Sequence, residues 1–207
     1  MEVEVSRRNL LMAAAAAGLA APAPARAESQ GMSLGEALKL RRSTRAFAAD
    51  PIDEATLLDL AWAAQGVNRP DSGLRTAPSW HGGRETRLHI ADQGGVKRYI
   101  PESHSFETLQ YADIRPKLSP EPFVATAPVC LIYTADPQEM PTDEDEQKLR
   151  MAPVDAAIVA QNVYLFCASR GLGTCLVGGM NADAVKTLLS LPDTAFATFL
   201  QPVGWPA

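Results

Sequence analysis

The chain has 207 residues, 46% of them hydrophobic and 21% charged, with a formal charge of −5. That length and apolar share fit one soluble globular domain with a sizeable core. An acidic balance argues against nucleic acid, whose phosphates require a basic face. Three Cys with no CxxC or HxxxH spacing make neither a disulfide framework nor a metal site.

Residues 1–27 read as an export signal. Arg7-Arg8 precedes an Ala-rich apolar run from Leu10 to Ala21, and Ala25-Arg26-Ala27 supplies a small-x-small cleavage site. Paired arginines ahead of a weakly hydrophobic segment resemble a twin-arginine leader, which implies the twin-arginine export machinery as a partner and a periplasmic destination. An ordinary secretory leader that carries two arginines is the alternative. The apolar run is short for a membrane anchor and ends in Ala-Pro-Ala-Pro. Residues 28–207 are then the folded domain.

Ser33-Leu-Gly-Glu36 is a capping-box pattern opening a short helix through about Leu40. Asp53 caps a second helix whose apolar positions (Leu57, Leu60, Ala61, Ala64) recur at helical spacing, with Gly66 as its stop. Val67–Trp80 is rich in Pro, Gly, Asn and Asp and reads as a loop. Arg87–Ala91 alternates as a half-buried strand, and Val96–Tyr99 follows a Gly-Gly turn as another. Pro128–Thr134 is nearly all apolar, the pattern of a central strand buried on both faces. Ala135–Met151 is acidic and reads as an exposed loop or frayed helix.

Pro153–Arg170 is the strongest helix, with Pro in its first turn, Gly171 past its end, and an interior apolar almost all round, hence buried. Thr174–Val177 reads as a short strand, Asn181 as the cap of a helix through about Leu189, and Phe196–Val203 as a final strand. No internal repeat and no second domain are evident.

Arg41, Arg42 and Arg45 flank Ser43 at the end of the first helix. Three guanidinium forks around a hydroxyl suit a phosphate or another anion. Cations opposing a helix dipole are the alternative. Gly171-Leu-Gly-Thr174 and Gly178-Gly179 let backbone approach a planar ligand, or simply make a C-cap and a turn. The glycines lack the strand-turn-helix GxGxxG context of a Rossmann site. No Gly-x-Ser-x-Gly elbow supports serine hydrolysis. Cys130, Cys167 and Cys175 sit in apolar context as inert thiols, a Cys167–Cys175 disulfide being the less favoured reading.

Taken in order, several segments resemble the nitroreductase-like FMN-dependent oxidoreductases. They are Arg41-Arg-Ser-Thr-Arg-Ala-Phe47, Ala61-Trp-Ala-Ala-Gln-Gly66, Arg75-Thr-Ala-Pro-Ser79, Gln161-Asn162 before Gly171-Leu-Gly-Thr174, and Pro202-Val-Gly-Trp-Pro206. The likeness spans about residues 33–206 and is nearest the short branch with an Arg-Thr-Ala-Pro-Ser loop.

The resemblance implies an α+β fold with a mostly antiparallel central sheet flanked by helices, in an intertwined homodimer with two FMN sites between the subunits. It implies that Arg41, Arg42 and Ser43 hold the FMN phosphate and ribityl chain, and that Arg45 reaches the pyrimidine edge of the ring. Pro78, Ser79, Trp80 and His81 would come from the partner subunit. Leu176, Val177, Gly178 and Gly179 would lie along the isoalloxazine. The flavin does the chemistry, so no side chain is assigned as catalytic; a small-molecule electron donor and acceptor would use the cavity in turn, ping-pong fashion.

Two departures bear on activity. Gly82 and Arg84 stand where the family usually has Asn and Gln, which alters the substrate side. After Arg170 the only cation is Lys186, so the usual basic clamp on the phosphate is missing and the Arg41–Arg45 cluster would carry it alone. NAD(P)H is the usual family donor, but an exported enzyme would need another reductant, a membrane-linked partner, or a dehydrogenase or oxidase role. A flavin-binding protein with little turnover and a periplasmic anion-binding module are the competing readings.

Overall fold

Local chemistry sets the first two helices. The computed structural model describes residues 31–207; the export-signal reading of residues 1–27 lies outside the described residues. Ser33 caps α1 (Leu34–Leu40) with a complete capping box: its hydroxyl accepts the Glu36 N–H while the Glu36 carboxylate accepts the Ser33 N–H. Asp53 caps α2 (Glu54–Gln65) by accepting the Thr56 N–H. Gly66 ends α2 with a φ of −67°, not in a left-handed turn. Its glycine is required by crowding instead, since a Cβ there would lie 2.3 Å from Trp62 Cδ1.

The segment expected to be a loop after α2 is partly ordered pairing. β1 (Val67–Arg69) and β2 (Leu74–Arg75) form a small antiparallel hairpin, and Trp80–Gly82 is a 3-10 turn. The main sheet follows: β3 (Thr86–Asp92), β4 (Gly95–Ile100), β5 (Ser105–Gln110), β6 (Val129–Ala135), β7 (Gly173–Thr174) and β8 (Phe196–Gly204). Its order is β5-β4-β3-β6-β8-β7, and every ladder is antiparallel.

All seven residues of β6 are buried, as a central strand requires. Leu131 and Tyr133 enter a core with Leu60 and Ala64 of α2 and with Ala156, Val159 and Val163 of the long helix described next. Cys130 and Ile132 face a second core built by α3 (Arg115–Leu118), α4 (Pro122–Thr126) and α6 (Ala182–Leu188). Helices thus cover both faces of an α+β sheet.

The long helix α5 runs over Asp145–Arg170, eight residues earlier than Pro153 suggested. Proline removes one ladder hydrogen bond, but its fixed φ is itself helical. Residues 145–151 therefore follow the helix alternative of the two readings given for the acidic segment, not the loop. Gly171, with φ of 72°, closes α5 in the left-handed conformation. The helix is not buried all round. Ala156, Val159, Ala160, Val163 and Cys167 point inward, while Val154 is 44% exposed and Ile158 and Leu165 are only half-buried. The expected strand over Thr174–Val177 reduces to β7 and one bridge from Val177 to Leu200. Asn181 precedes α6 but does not cap it; its side chain donates to the Lys117 carbonyl instead. All three cysteines are buried free thiols, so Cys167 and Cys175 are not paired.

Candidate functional site

Two clusters are built on α5, nine residues apart, which is about 13 Å along a helix axis. The C-terminal cluster centres on Tyr164. Its hydroxyl accepts the Leu176 N–H at 2.8 Å and lies 3.1 Å from Ser43 Oγ. The Arg41 guanidinium stacks over the Tyr164 ring, 5.3 Å from its centroid. The segment carrying the three arginines is pinned on both sides. Thr44 donates its N–H to the Thr174 carbonyl, Ala48 donates to Trp205, and Ala207 donates to Ala46.

Gly173 makes that approach possible, since a Cβ there would lie 2.7 Å from Thr44 Cγ2. Arg42 and Arg45 are exposed, and no described carboxylate pairs with any of the three arginines. Arg42, Thr44, Tyr164 and Thr174 line a cavity of about 150 Å³.

One residue past Leu176, Val177 is fixed to Leu200 by reciprocal backbone hydrogen bonds of 2.8 and 2.9 Å. Gly178 and Gly179 follow, exposed, with no atom within 4 Å of a built Cβ and no positive φ. Neither packing nor backbone strain demands glycine there; the absent side chains leave the Gly178 main chain open, while the Gly179 carbonyl accepts the Ser119 hydroxyl. The structure therefore brings Arg41, Ser43 and the Leu176 N–H together at Tyr164, with Arg42 lining the adjacent cavity, and among the described residues no contact joins Arg45, Gly178 or Gly179 to that cluster. The sequence reading had missed Tyr164, whose signal was a polar-tipped aromatic in an otherwise apolar helix.

Pro78, Ser79, Trp80 and His81 are elsewhere. They pack at the N-terminal cluster of α5, where the Trp80 N–H donates to Asp155 Oδ2 at 2.7 Å. Ser79 Oγ donates to the Gly83 carbonyl at 2.5 Å, closing a tight loop. His81 is exposed with φ of 50°, and Gly82 has φ of 75°. Asn, the residue that the resemblance leads us to expect at position 82, also tolerates that conformation, so Gly82 keeps the backbone and discards the side chain.

Under this loop two carboxyl groups meet in the interior. Glu85 is fully buried and Asp155 is 3% exposed. Burial, reinforced by the facing Asp155 carboxylate, pushes the Glu85 carboxyl up to about 7. On the neighbouring strand face, burial and then Arg98 and Arg87 push His89 down to about 4, so its ring is neutral, with Nε2 3.0 Å from Thr134 Oγ1. Neither Glu85 nor Asp155 was anticipated from sequence, although a lone Asp in an apolar helix was a visible signal.

Residues 38–205 match the Nitroreductase family. The chain belongs to that family. A nitroreductase-family protein of Methanocaldococcus jannaschii is 29% identical over 181 residues, covering 83% of this chain and 90% of its own. The solved structure of a nitroreductase-family protein from Ralstonia eutropha is 35% identical with a TM-score of 0.82, covering 90% of this chain and 88% of that one. An NADPH-type FMN reductase of Bacillus subtilis is 36% identical over 66 residues, a match covering 31% of this chain and 26% of that enzyme. The nitroreductase fold and the oxidoreductase character of the relatives agree with the sequence reading.

Proposed function

We propose that the chain is an exported, periplasmic FMN-dependent oxidoreductase that works as a homodimer. The observation that carries this reading is the junction at Tyr164. It joins the arginine segment, through Arg41 and Ser43, to the Leu176 backbone N–H, with no described carboxylate paired to the cations. Because the Tyr164 hydroxyl accepts from Leu176, its own proton is available to Ser43 Oγ. The Ser43 proton is then free to turn outward to a phosphate oxygen.

Arg41, Arg42 and Ser43 hold the FMN phosphate and ribityl chain, and Arg45 sets positive charge at the ring's pyrimidine edge. The exposed backbone of Gly178 and Gly179 admits the flat ring. Bound FMN takes electrons from a donor and passes them to a small organic acceptor.

A second copy completes the site. Within one chain, Pro78–His81 are held at the opposite end of α5 from the arginines. Val154, Ile158 and Leu165 share an uncovered face of α5 by helical spacing. Leu34 and Leu38 of α1 are 65% and 53% exposed, one turn apart. An isologous interface through these helices covers both and offers each copy's Pro78–His81 loop to the other's arginines.

Purified protein is expected to carry flavin absorbance, to bleach with a reductant and to recover with an acceptor. Colourless protein that binds no added FMN would contradict the reading. Gly82 favours one second reading, a flavoprotein with little turnover, because a side chain on the substrate side is absent. Flavin that bleaches but fails to recover with any acceptor, molecular oxygen included, would support it.

A further inference from the structure

The Pro78–Gly83 loop rests on two carboxyl groups. Asp155 accepts the Trp80 N–H at 2.7 Å, and Glu85 packs under the end of the turn, where a Cβ on Gly83 would lie 2.5 Å from Glu85 Oε2. Gly83 has a φ of −54°, so no left-handed turn requires its glycine; the carboxyl group beneath it does. Ser79 Oγ donates to the Gly83 carbonyl and the Gly83 N–H donates to the Trp80 carbonyl, so both points of support belong to one closed turn.

The two carboxyl groups also face each other and are hydrogen-bonded side chain to side chain. Carboxylates offer only acceptors, so that contact requires one proton between them. Neither group has an ion-pair partner among the described residues. The hairpin presents Arg69 and Arg75 to the cavity that both carboxyl groups line, but Arg75 holds Glu102 and Arg69 donates to Asn68 and to the Arg75 carbonyl. The loop adds exposed His81 and Arg84, whose Nη2 lies against Gly73 in the hairpin turn. Arg87 of β3 is held by Glu139, Lys148 of α5 is tied to Asp145, and α2 presents the neutral Gln65. A second negative charge on the pair would stand in the interior against the first, with no cation bound to it.

We infer that Glu85 and Asp155 are positioning residues whose single shared proton latches the Pro78–Gly83 loop. With the proton in place the pair carries one charge, and Asp155 keeps its hold on the Trp80 N–H. When the proton passes to water in the cavity of about 210 Å³, the carboxylates repel, Asp155 withdraws from Trp80 and the turn opens. Burial, reinforced by Asp155, places the Glu85 ionisation at about 7, so the latch works near neutrality. The consequence for the cofactor rests on the flavin reading: a loop that opens holds flavin less tightly.

The test follows the Trp80 backbone amide by NMR in the purified full chain, before and after FMN is added. Between about pH 6 and 8.5 its proton resonance is expected to move upfield as it leaves a charged acceptor. It should stay in place in Glu85→Gln, whose amide donates to Asp155 at every pH. FMN affinity should fall with rising pH in the wild type, by at most about tenfold per pH unit, the limit for one linked proton, and should fall less in Glu85→Gln; ionisation of the FMN phosphate is common to both. A wild-type Trp80 amide indifferent to pH, or one that titrates equally in Glu85→Gln, would overturn the latch. So would a titration lost in His81→Gln and kept in Glu85→Gln, because the loop's own imidazole would then be the sensor. Protein that binds no FMN at any pH counts against the oxidoreductase reading alone, since the amide titration is read without flavin.

Discussion

The two ends of α5 solve different problems with the same helix. At the C-terminal end a neutral tyrosine hydroxyl links the segments, and the charged groups beside it are exposed and uncommitted. At the N-terminal end a buried carboxylate does the linking, a second carboxyl group is packed against it, and polar atoms remain unpartnered. The first arrangement spares charge for a ligand. The second invests charge in holding a loop, and so its stability depends on protonation.

Removing the anchor of the charged end should have the largest effect. Asp155→Ala leaves the Trp80 N–H without its acceptor and is expected to cost about 1.5–3 kcal/mol, the scale of a hydrogen bond to a charged group. Asp155→Asn keeps an acceptor and relieves the facing carboxyl group, so it should lie near the wild type. Urea unfolding of both variants checks this; equal losses would mean that the Trp80 contact is not what Asp155 contributes.

At the other end the cost should fall on binding instead of folding. Arg41→Ala and Arg45→Ala are expected to weaken FMN roughly ten- to a hundredfold, with stability changed by no more than about 0.5 kcal/mol. Flavin-to-protein ratios after gel filtration read the first quantity and thermal unfolding the second. Arg41→Lys should rescue only in part, because an ammonium cannot reproduce a planar fork. Tyr164→Phe sits between the two cases. It removes two neutral hydrogen bonds, about 1 kcal/mol each, and should lower stability on the scale of Asp155→Ala while lowering flavin content by less than the arginine variants do.

The smallest effect sharpens the contrast through pH. Glu85 is raised from 4.5 to about 7, so its contribution to stability is complete below about pH 4.5 and is lost as pH rises through about 7. His89 is lowered from 6.5 to about 4. Its contribution is complete above about pH 6.5 and is lost as pH falls through about 4. The two slopes oppose each other between about pH 4.5 and 6.5, and the pair is expected to contribute little net slope there. Glu85→Gln should leave stability rising with pH across that window, and His89→Gln should leave it falling. Unfolding free energies at three pH values per variant settle the signs.

Much of this architecture was legible in the residues. Capping chemistry marked α1 and α2, the unbroken apolar run marked β6, and ordered short motifs marked the family and the arginine segment. What escaped was decided by tertiary contact. β5 is an edge strand whose residues are largely exposed, so its alternation carries little signal. The start of α5 was hidden because Pro153 imitates a helix N-terminus. Tyr164, Asp155 and Glu85 act through partners 12 to 121 residues distant in sequence, or through burial alone, and no local pattern announces such pairings.

The central claim is that one flavin site is shared between two copies, arginines from one and the Pro78–His81 loop from the other. Chains carrying Arg41→Ala and Arg45→Ala, and chains carrying Pro78→Trp, are to be purified with different tags and each shown to lack flavin alone. Mixed dimers carrying both tags are then isolated and their flavin measured. A shared site predicts one intact and one doubly damaged site per mixed dimer, hence about half the wild-type flavin by the closed two-fold symmetry of such an interface. Mixed dimers as empty as the parent variants would contradict the account, because damage would then be confined to sites built within single chains.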